Sequence, residues 1–210
     1  VNDLPVLTSI GIQFTNEDSD STITLSATDV DIATNSQTLS FIATSDTESL
    51  VKVSTTSGDG SGSGTLTFDV QKDQNGTAQI TVTVTDSENS THAETFTLTV
   101  TAVNDFPVAS ISKTLIVAVV AENSTQTTVQ LDGSSSTDID IDKPNDTINF
   151  KWEKISGPSL GVLPDDSTIT VNLTTGIYQF ELTVTDDSLA FDTDTVDVRI
   201  GQPKLSIDEY

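Results

Sequence analysis

The chain contains no cysteine, so no disulfide can staple its folded state. A secreted β-domain without disulfides depends on its core, and on bound metal where one is present, a pattern that fits bacterial extracellular modules better than animal ones. Basic residues are scarce: eight Lys or Arg stand against 32 Asp or Glu, a formal net charge of −24. That balance argues against nucleic acid and against an anionic membrane as partners, because both require a basic face. Long apolar runs are missing too. The longest, Leu115 to Ala121, has seven residues, far below the ~20 that span a bilayer. A lone histidine and no thiol disfavour zinc. One Trp and two Tyr give little surface for stacking on sugars.

What is present is Thr, Ser and alternation. With 34% apolar residues the composition favours strands and turns. Val-Asn-Asp occurs twice, as Val1-Asn2-Asp3-Leu4-Pro5 and Val103-Asn104-Asp105-Phe106-Pro107. The repeat divides the chain into two units of about 100 residues, the usual size of an immunoglobulin-like sandwich. We place the domains at 1–105 and 106–200, with 201–210 a linker or the start of a further module. Because the chain starts on a linker motif, we expect a piece of a larger surface protein.

Strand signals have period two. In the first unit Ile23-Leu25-Ala27, Leu66-Phe68-Val70, Ile80-Val82-Val84 and Phe96-Leu98-Val100 mark positions alternating with polar residues. In the second, Val129-Leu131, Ile148-Phe150-Trp152, Ile169-Val171-Leu173, Tyr178-Phe180-Leu182-Val184 and Val196-Val198-Ile200 do the same. This is the signature of antiparallel sheets with one buried face. No segment carries helical periodicity over ten residues. The expected fold is all-β: two tandem seven-stranded immunoglobulin-like sandwiches. Trp152 reads as core, His92 as a solvated loop residue, and Gly58 to Gly64 as a flexible loop without the Lys or helix of a phosphate cradle.

Strand alternation then puts the acids at the ends of the sandwiches. With strands A to G reversing direction in turn, the B–C and F–G loops lie beside the N-terminus of a unit. The A–B and E–F turns lie beside its C-terminus. At the start of the first unit this gathers Asn2, Asp3, Asp29, Asp31 and Asp86, a first candidate cation site. Glu17 and Asp73 fall at its end, where the chain leaves through Asn104 and Asp105. The second unit repeats the arrangement with Asp138, Asp140, Asp142 and Asp186. We therefore expect an interdomain site of Glu17, Asp73, Asn104, Asp105, Asp138, Asp140, Asp142 and Asp186. Crowded carboxylates repel unless a cation neutralises them, and Ca²⁺ accepts 6–8 oxygens in flexible geometry where Mg²⁺ demands a stricter octahedron. Asp-x-Asp spacing suits this if the loops are extended, since alternate side chains then share a face.

These residues resemble known families. Asn16-Glu17-Asp18-Ser19, Ala27-Thr28-Asp29-Val30-Asp31, the run from Asn75 to Asp86 and Val103-Asn104-Asp105-Phe106-Pro107 make residues 1–105 similar to a bacterial cadherin-like tandem repeat. In cadherins the linker Asn-Asp, an acid after the first strand, a following Asp-x-Asp and an F–G Asp bind Ca²⁺ between domains. The resemblance carries those roles to Asn104, Asp105, Glu17, Asp138, Asp140 and Asp186. The acidic E–F motif of animal cadherins is missing, with Asp73 a loose stand-in, and so is an N-terminal strand-exchange Trp. Residues 106–200 resemble a polycystic-kidney-disease (PKD) domain through Leu131-Asp132-Gly133-Ser134-Ser135-Ser136-Thr137-Asp138, Phe150-Lys151-Trp152-Glu153 and the run from Tyr178 to Asp186. Neither family is catalytic. The resemblance implies a calcium-stiffened extracellular stalk or adhesion segment of a large bacterial surface or secreted protein, with neighbouring modules of the chain as partners. The competing reading is a polysaccharide-binding or self-associating module. An enzyme built on paired carboxylates is disfavoured, because those here sit on loop ends beside a linker.

Overall fold

A computed structural model describes residues 2–142 and 147–202. The chain forms two compact units, Val1–Val103 and Asn104–Tyr210. Both are built from strands. Among the described residues no helix is long and apolar enough to cross a membrane.

The first unit contains β1 (Val6–Leu7), β2 (Gln13–Asn16), β3 (Ser21–Thr28), β4 (Leu39–Ser45), β5 (Val51–Ser57), β6 (Ser63–Val70), β7 (Gly76–Asp86) and β8 (Thr91–Thr101), with a short helix, α1 (Asp31–Asn35), after β3. They form two four-stranded sheets, ordered β1-β3-β6-β5 and β2-β8-β7-β4. The first strand is divided between them: β1 pairs antiparallel with β3, whereas β2 pairs parallel with β8. Seven strands were expected, and the divided first strand makes eight. The alternating residues face inward as read. Leu66, Ile80, Val82, Val84 and Leu98 are fully buried, and Phe68 meets Phe96 edge-on at 6.2 Å.

The Gly-rich segment is held in place rather than left loose. Gly60 and Gly62 carbonyls accept the amides of Leu39 and Ala27 at 2.9 and 2.7 Å. Gly62 has φ +98°, and a Cβ there would lie 2.1 Å from the Ala27 carbonyl oxygen. Glycine is required at that position by both conformation and space. His92 is likewise not a loop residue. It lies on β8, half-buried, and its Nδ1 accepts the Leu7 amide at 3.1 Å.

The second unit contains β9 (Leu115–Val119), β10 (Thr127–Asp132), β11 (Asn149–Ser156), β12 (Thr168–Leu173), β13 (Gly176–Thr185) and β14 (Phe191–Gly201). One sheet has the order β11-β13-β14-β9 and the other is the β10-β12 pair. Six strands, not seven, occur among the described residues, together with an isolated bridge from Val108 to Thr137. On β13 the period-two pattern is complete. Tyr178, Phe180, Leu182 and Val184 are at most 1% exposed. Trp152 is core, and its Nε1 donates to the Asp166 carbonyl at 3.0 Å, which satisfies its one polar group. Gly201, the first residue of the expected tail 201–210, ends β14, and residues 203–210 of that tail fall outside the described residues.

Candidate metal sites

At the start of the first unit the structure joins residues that lie far apart in sequence. Asp86 ends β7, and the turn that follows closes on it. Its Oδ1 accepts the amides of Glu88 and Ser90 at 2.9 and 2.8 Å. Its Oδ2 accepts Asn2 Nδ2 at 2.8 Å, and the same amide group reaches Ser90 Oγ at 2.6 Å. Asp31 Oδ2 accepts the Asp3 amide at 2.8 Å, while the Asp31 amide donates to Asp29 Oδ1 at 2.8 Å. Asp31 and Asp86 are 5% and 4% exposed. The Asp29 Oδ2 atom is buried with no hydrogen-bond partner.

The start of the second unit repeats these bonds. Asp186 Oδ1 accepts the Ala190 amide at 2.8 Å, and its Oδ2 accepts Asn104 Nδ2 at 2.8 Å. Asp140 Oδ2 accepts the Asp105 amide at 2.7 Å, and the Asp140 amide donates to Asp138 Oδ1 at 3.0 Å. Asp138, Asp140 and Asp186 are 6%, 4% and 1% exposed, and Asp138 Oδ2 is buried without a hydrogen-bond partner. Asn89 and Leu189, at φ +70° and +69°, turn the two F–G loops in the same left-handed way.

One expectation about this geometry is overturned. The Asp-x-Asp pairs do not share a face by strand alternation. Asp31 heads α1, and Asp140 lies in a 3₁₀ turn, Ile139–Asp142. In both, the first Asp side chain captures the amide two residues on, the local bond that Asp makes in place of regular structure. Asp142 closes that 3₁₀ turn, and its side chain lies outside the described residues.

At the end of the first unit Glu17 is 1% exposed, and its Oε1 accepts the Val103 amide at 2.8 Å. Asp73, at φ +56°, donates its amide to Asp18 Oδ1 at 3.0 Å and pairs with Lys72 at 3.2 Å. Lys72 is mostly exposed, so that ion pair adds little. Asp18 was not among the residues singled out from sequence. Neither was Gln37, 5% exposed, whose Nε2 donates to Asn2 Oδ1. Glutamine carries no charge to betray it, and Gln37 lies 35 residues from Asn2. The second unit differs at the end position. Val120 donates its amide to Gly201 as Glu17 does to Thr101, so a buried valine stands where the first unit buries a carboxylate.

Burial pushes the Asp86 carboxyl up, but the bonds from Asn2, Ser90 and Glu88 outweigh it and hold the group below its ordinary value. Asp132 is held low by the Ser134 hydroxyl and amide and by Thr168. Groups lowered in the folded state contribute stability above their unfolded value, about 3.9 for Asp, and lose it as pH falls through the folded value. In chelator, the melting temperature should therefore stay level from neutral pH to about 5 and fall toward pH 2. Asp86→Asn should flatten part of that fall. An unchanged acid slope in this variant would remove Asp86 from the account.

The donor set is oxygen throughout: carboxylates and amide carbonyls, several buried, with Asp29 Oδ2, Asp73 Oδ1 and Asp138 Oδ2 lacking hydrogen-bond donors. Such a set fits a hard cation of flexible coordination and does not fit zinc.

Residues 2–100 match the family model described as a bacterial Ig domain, and residues 121–200 match that described as K319L-like, PKD domain. No curated protein matches the chain. Among solved structures, protocadherin gamma C5 EC1-3 is 16% identical with a TM-score of 0.54, covering 94% of this chain and 68% of that one. The PKD domain from the KIAA 1837 protein is 24% identical with a TM-score of 0.38, over 52% of this chain and 99% of that one. Titin domains Z1Z2, solved in complex with telethonin, are 14% identical with a TM-score of 0.40, over 97% and 100%. Of these three, the protocadherin likeness has a TM-score above 0.5 and bears on the fold, that of tandem immunoglobulin-like sandwiches. The first unit is thus similar to bacterial Ig domains and the second, over residues 121–200, to PKD domains, kinds of module that are typically extracellular.

Proposed function

We propose that this chain is a non-catalytic, calcium-binding pair of extracellular modules, part of a stalk or adhesion region whose stiffness Ca²⁺ controls. One observation carries the reading: the same set of oxygen-to-amide bonds is built at the start of both units, closed by residues 84 and 82 apart in sequence. Loop acids that were merely solvated would have no reason to recur in matching bonds.

Asn2, Asp29, Asp31 and Asp86 would hold one ion, with Asp3 adding charge at the rim. Asn104, Asp105, Asp138, Asp140 and Asp186 would hold the other. Bound there, Ca²⁺ supplies charge neutralisation and a cross-link between chain segments. The protein's part is to preorder the ligands. Asn2 and Asn104 are pinned to the F–G aspartates, and the Asp3 and Asp105 amides to the Asp-x-Asp loops. Val103 is tied to Glu17 in the first unit, and Asn104 to Asp186 in the second. A sugar-stacking role has less support, because Trp152 and Tyr178 are buried.

Extracellular modules of this type bind Ca²⁺ at roughly 10⁻⁴–10⁻³ M. Titration calorimetry should find that range. Small-angle scattering with calcium should report a narrower spread of interdomain angles than with chelator. Superimposable scattering profiles in the two conditions would defeat the proposal.

A further inference from the structure

We infer that Gln37 is a neutral ligand of the first unit's cation site, supplying its Oε1 beside the carboxylates. The inference rests on the calcium reading above and adds a residue to it. Orientation of the amide follows from a chain of donors and acceptors. Ionised Asp86 only accepts, so Asn2 must direct its NH₂ toward it, and does so at 2.8 Å. Asn2 is left with Oδ1 on its other side, so Gln37 must present Nε2 there, as it does. The same Nε2 lies 3.4 Å from Glu88 Oε1. With both assignments fixed, the Gln37 carbonyl oxygen is the atom left over. It is buried, it has no hydrogen-bond partner, and its side chain is 5% exposed.

A buried amide oxygen without a donor is costly and calls for an explanation. Water or a backbone amide would normally satisfy it. Here it belongs to a planar group whose nitrogen already bridges Asn2 and Glu88, and Asn2 in turn holds Asp86. Asp29 Oδ2, on the carboxylate that accepts the Asp31 amide, is also buried without a hydrogen-bond donor. A hard cation answers both, since Ca²⁺ readily takes side-chain amide carbonyls along with carboxylates. Gln37 also adds a ligand without adding charge to a site already rich in it. The residue follows α1 directly, after Ser36 at φ +55°, so the helix and its left-handed exit set where the side chain falls.

The test is calcium titration of the intact chain by nuclear magnetic resonance. Backbone amides of Asp31 and Asp86 report the site, and the Gln37 side-chain Cδ and Nε2 signals report the ligand. The Gln37 Cδ signal should move with the same apparent Kd as those amides. Gln37→Leu should weaken that Kd about tenfold, the scale on which partners of a metal site act, while chelated spectra stay native. A Gln37 Cδ signal that stays still while Asp31 and Asp86 saturate would overturn this inference alone. So would an unchanged Kd in Gln37→Leu. No calcium response at Asp31, Asp86 or Gln37 would overturn it together with the reading it rests on. Should Gln37→Leu fail to fold, the wild-type Cδ signal decides.

Discussion

Raising free Ca²⁺ from chelated conditions to about 10 mM should lift the melting temperature of this chain by roughly 5–20 °C. At dissociation constants of roughly 10⁻⁴–10⁻³ M, that concentration is about 10–100 times Kd. An ion that binds only the folded state then adds about 1.4–2.7 kcal/mol for each site. For a unit near 100 residues, each kcal/mol moves the midpoint by roughly 4–8 °C. Mg²⁺ should do less, because it holds its waters and asks for an octahedron. Asp31→Asn separates the charge from the fold. The amide oxygen can still accept the Asp3 amide, which now donates to Asp31 Oδ2 at 2.8 Å, but the charge is lost. The variant should melt normally in chelator and lose most of the first unit's response. Calorimetry in both conditions checks this, and a midpoint indifferent to calcium would count against every metal role assigned above.

Gly133→Ala should destabilise the second unit by about 1–3 kcal/mol, the usual cost of forcing a methyl group into a full core. A Cβ at Gly133 would meet Leu182 Cδ2 at 2.4 Å, with the Ser167 carbonyl oxygen and Trp152 Cζ2 both at 3.3 Å. Leu182 is 0% exposed and Trp152 3%, so neither can yield without disturbing the layer beneath. The Gly133 amide also donates to the Ser167 carbonyl at 2.8 Å, which ties the position from the backbone side. The resulting drop in melting temperature is roughly 5–20 °C. Gly161→Ala is the control, because nothing lies within 4 Å of a Cβ there. Equal melting of the two variants would show that the core accommodates the methyl group.

Gly133 shows how a motif can be legible before its reason is. From sequence it is part of a Leu-Asp-Gly-Ser run; only packing shows that Trp152 and Leu182 leave no room for a side chain. Strands followed the same division. Those with one fully buried face, such as β7, β8, β13 and β14, were read directly from alternation. β4, β5 and β9 were not singled out. β5 keeps one buried residue, Val51, and then runs Lys-Val-Ser-Thr-Thr-Ser at the edge of its sheet, so burial leaves little periodic trace. The polar neighbours of His92 suggest a loop, yet it sits opposite Val84 on a strand.

The sequence by itself determined the strand periods, the acid-bearing turns and the order in which they occur. Those properties are local: side chains alternate every two residues, and Asp, Asn and Gly mark turns through their own backbone bonds. Only the tertiary structure decided which sheet each strand joins, that the first strand of the first unit serves both, and that Gln37 joins Asn2 and Asp86. A period of two tells a strand which face is buried but not which neighbour it has. That choice is made by packing across the whole sandwich, and with it the place where Gln37 comes to rest.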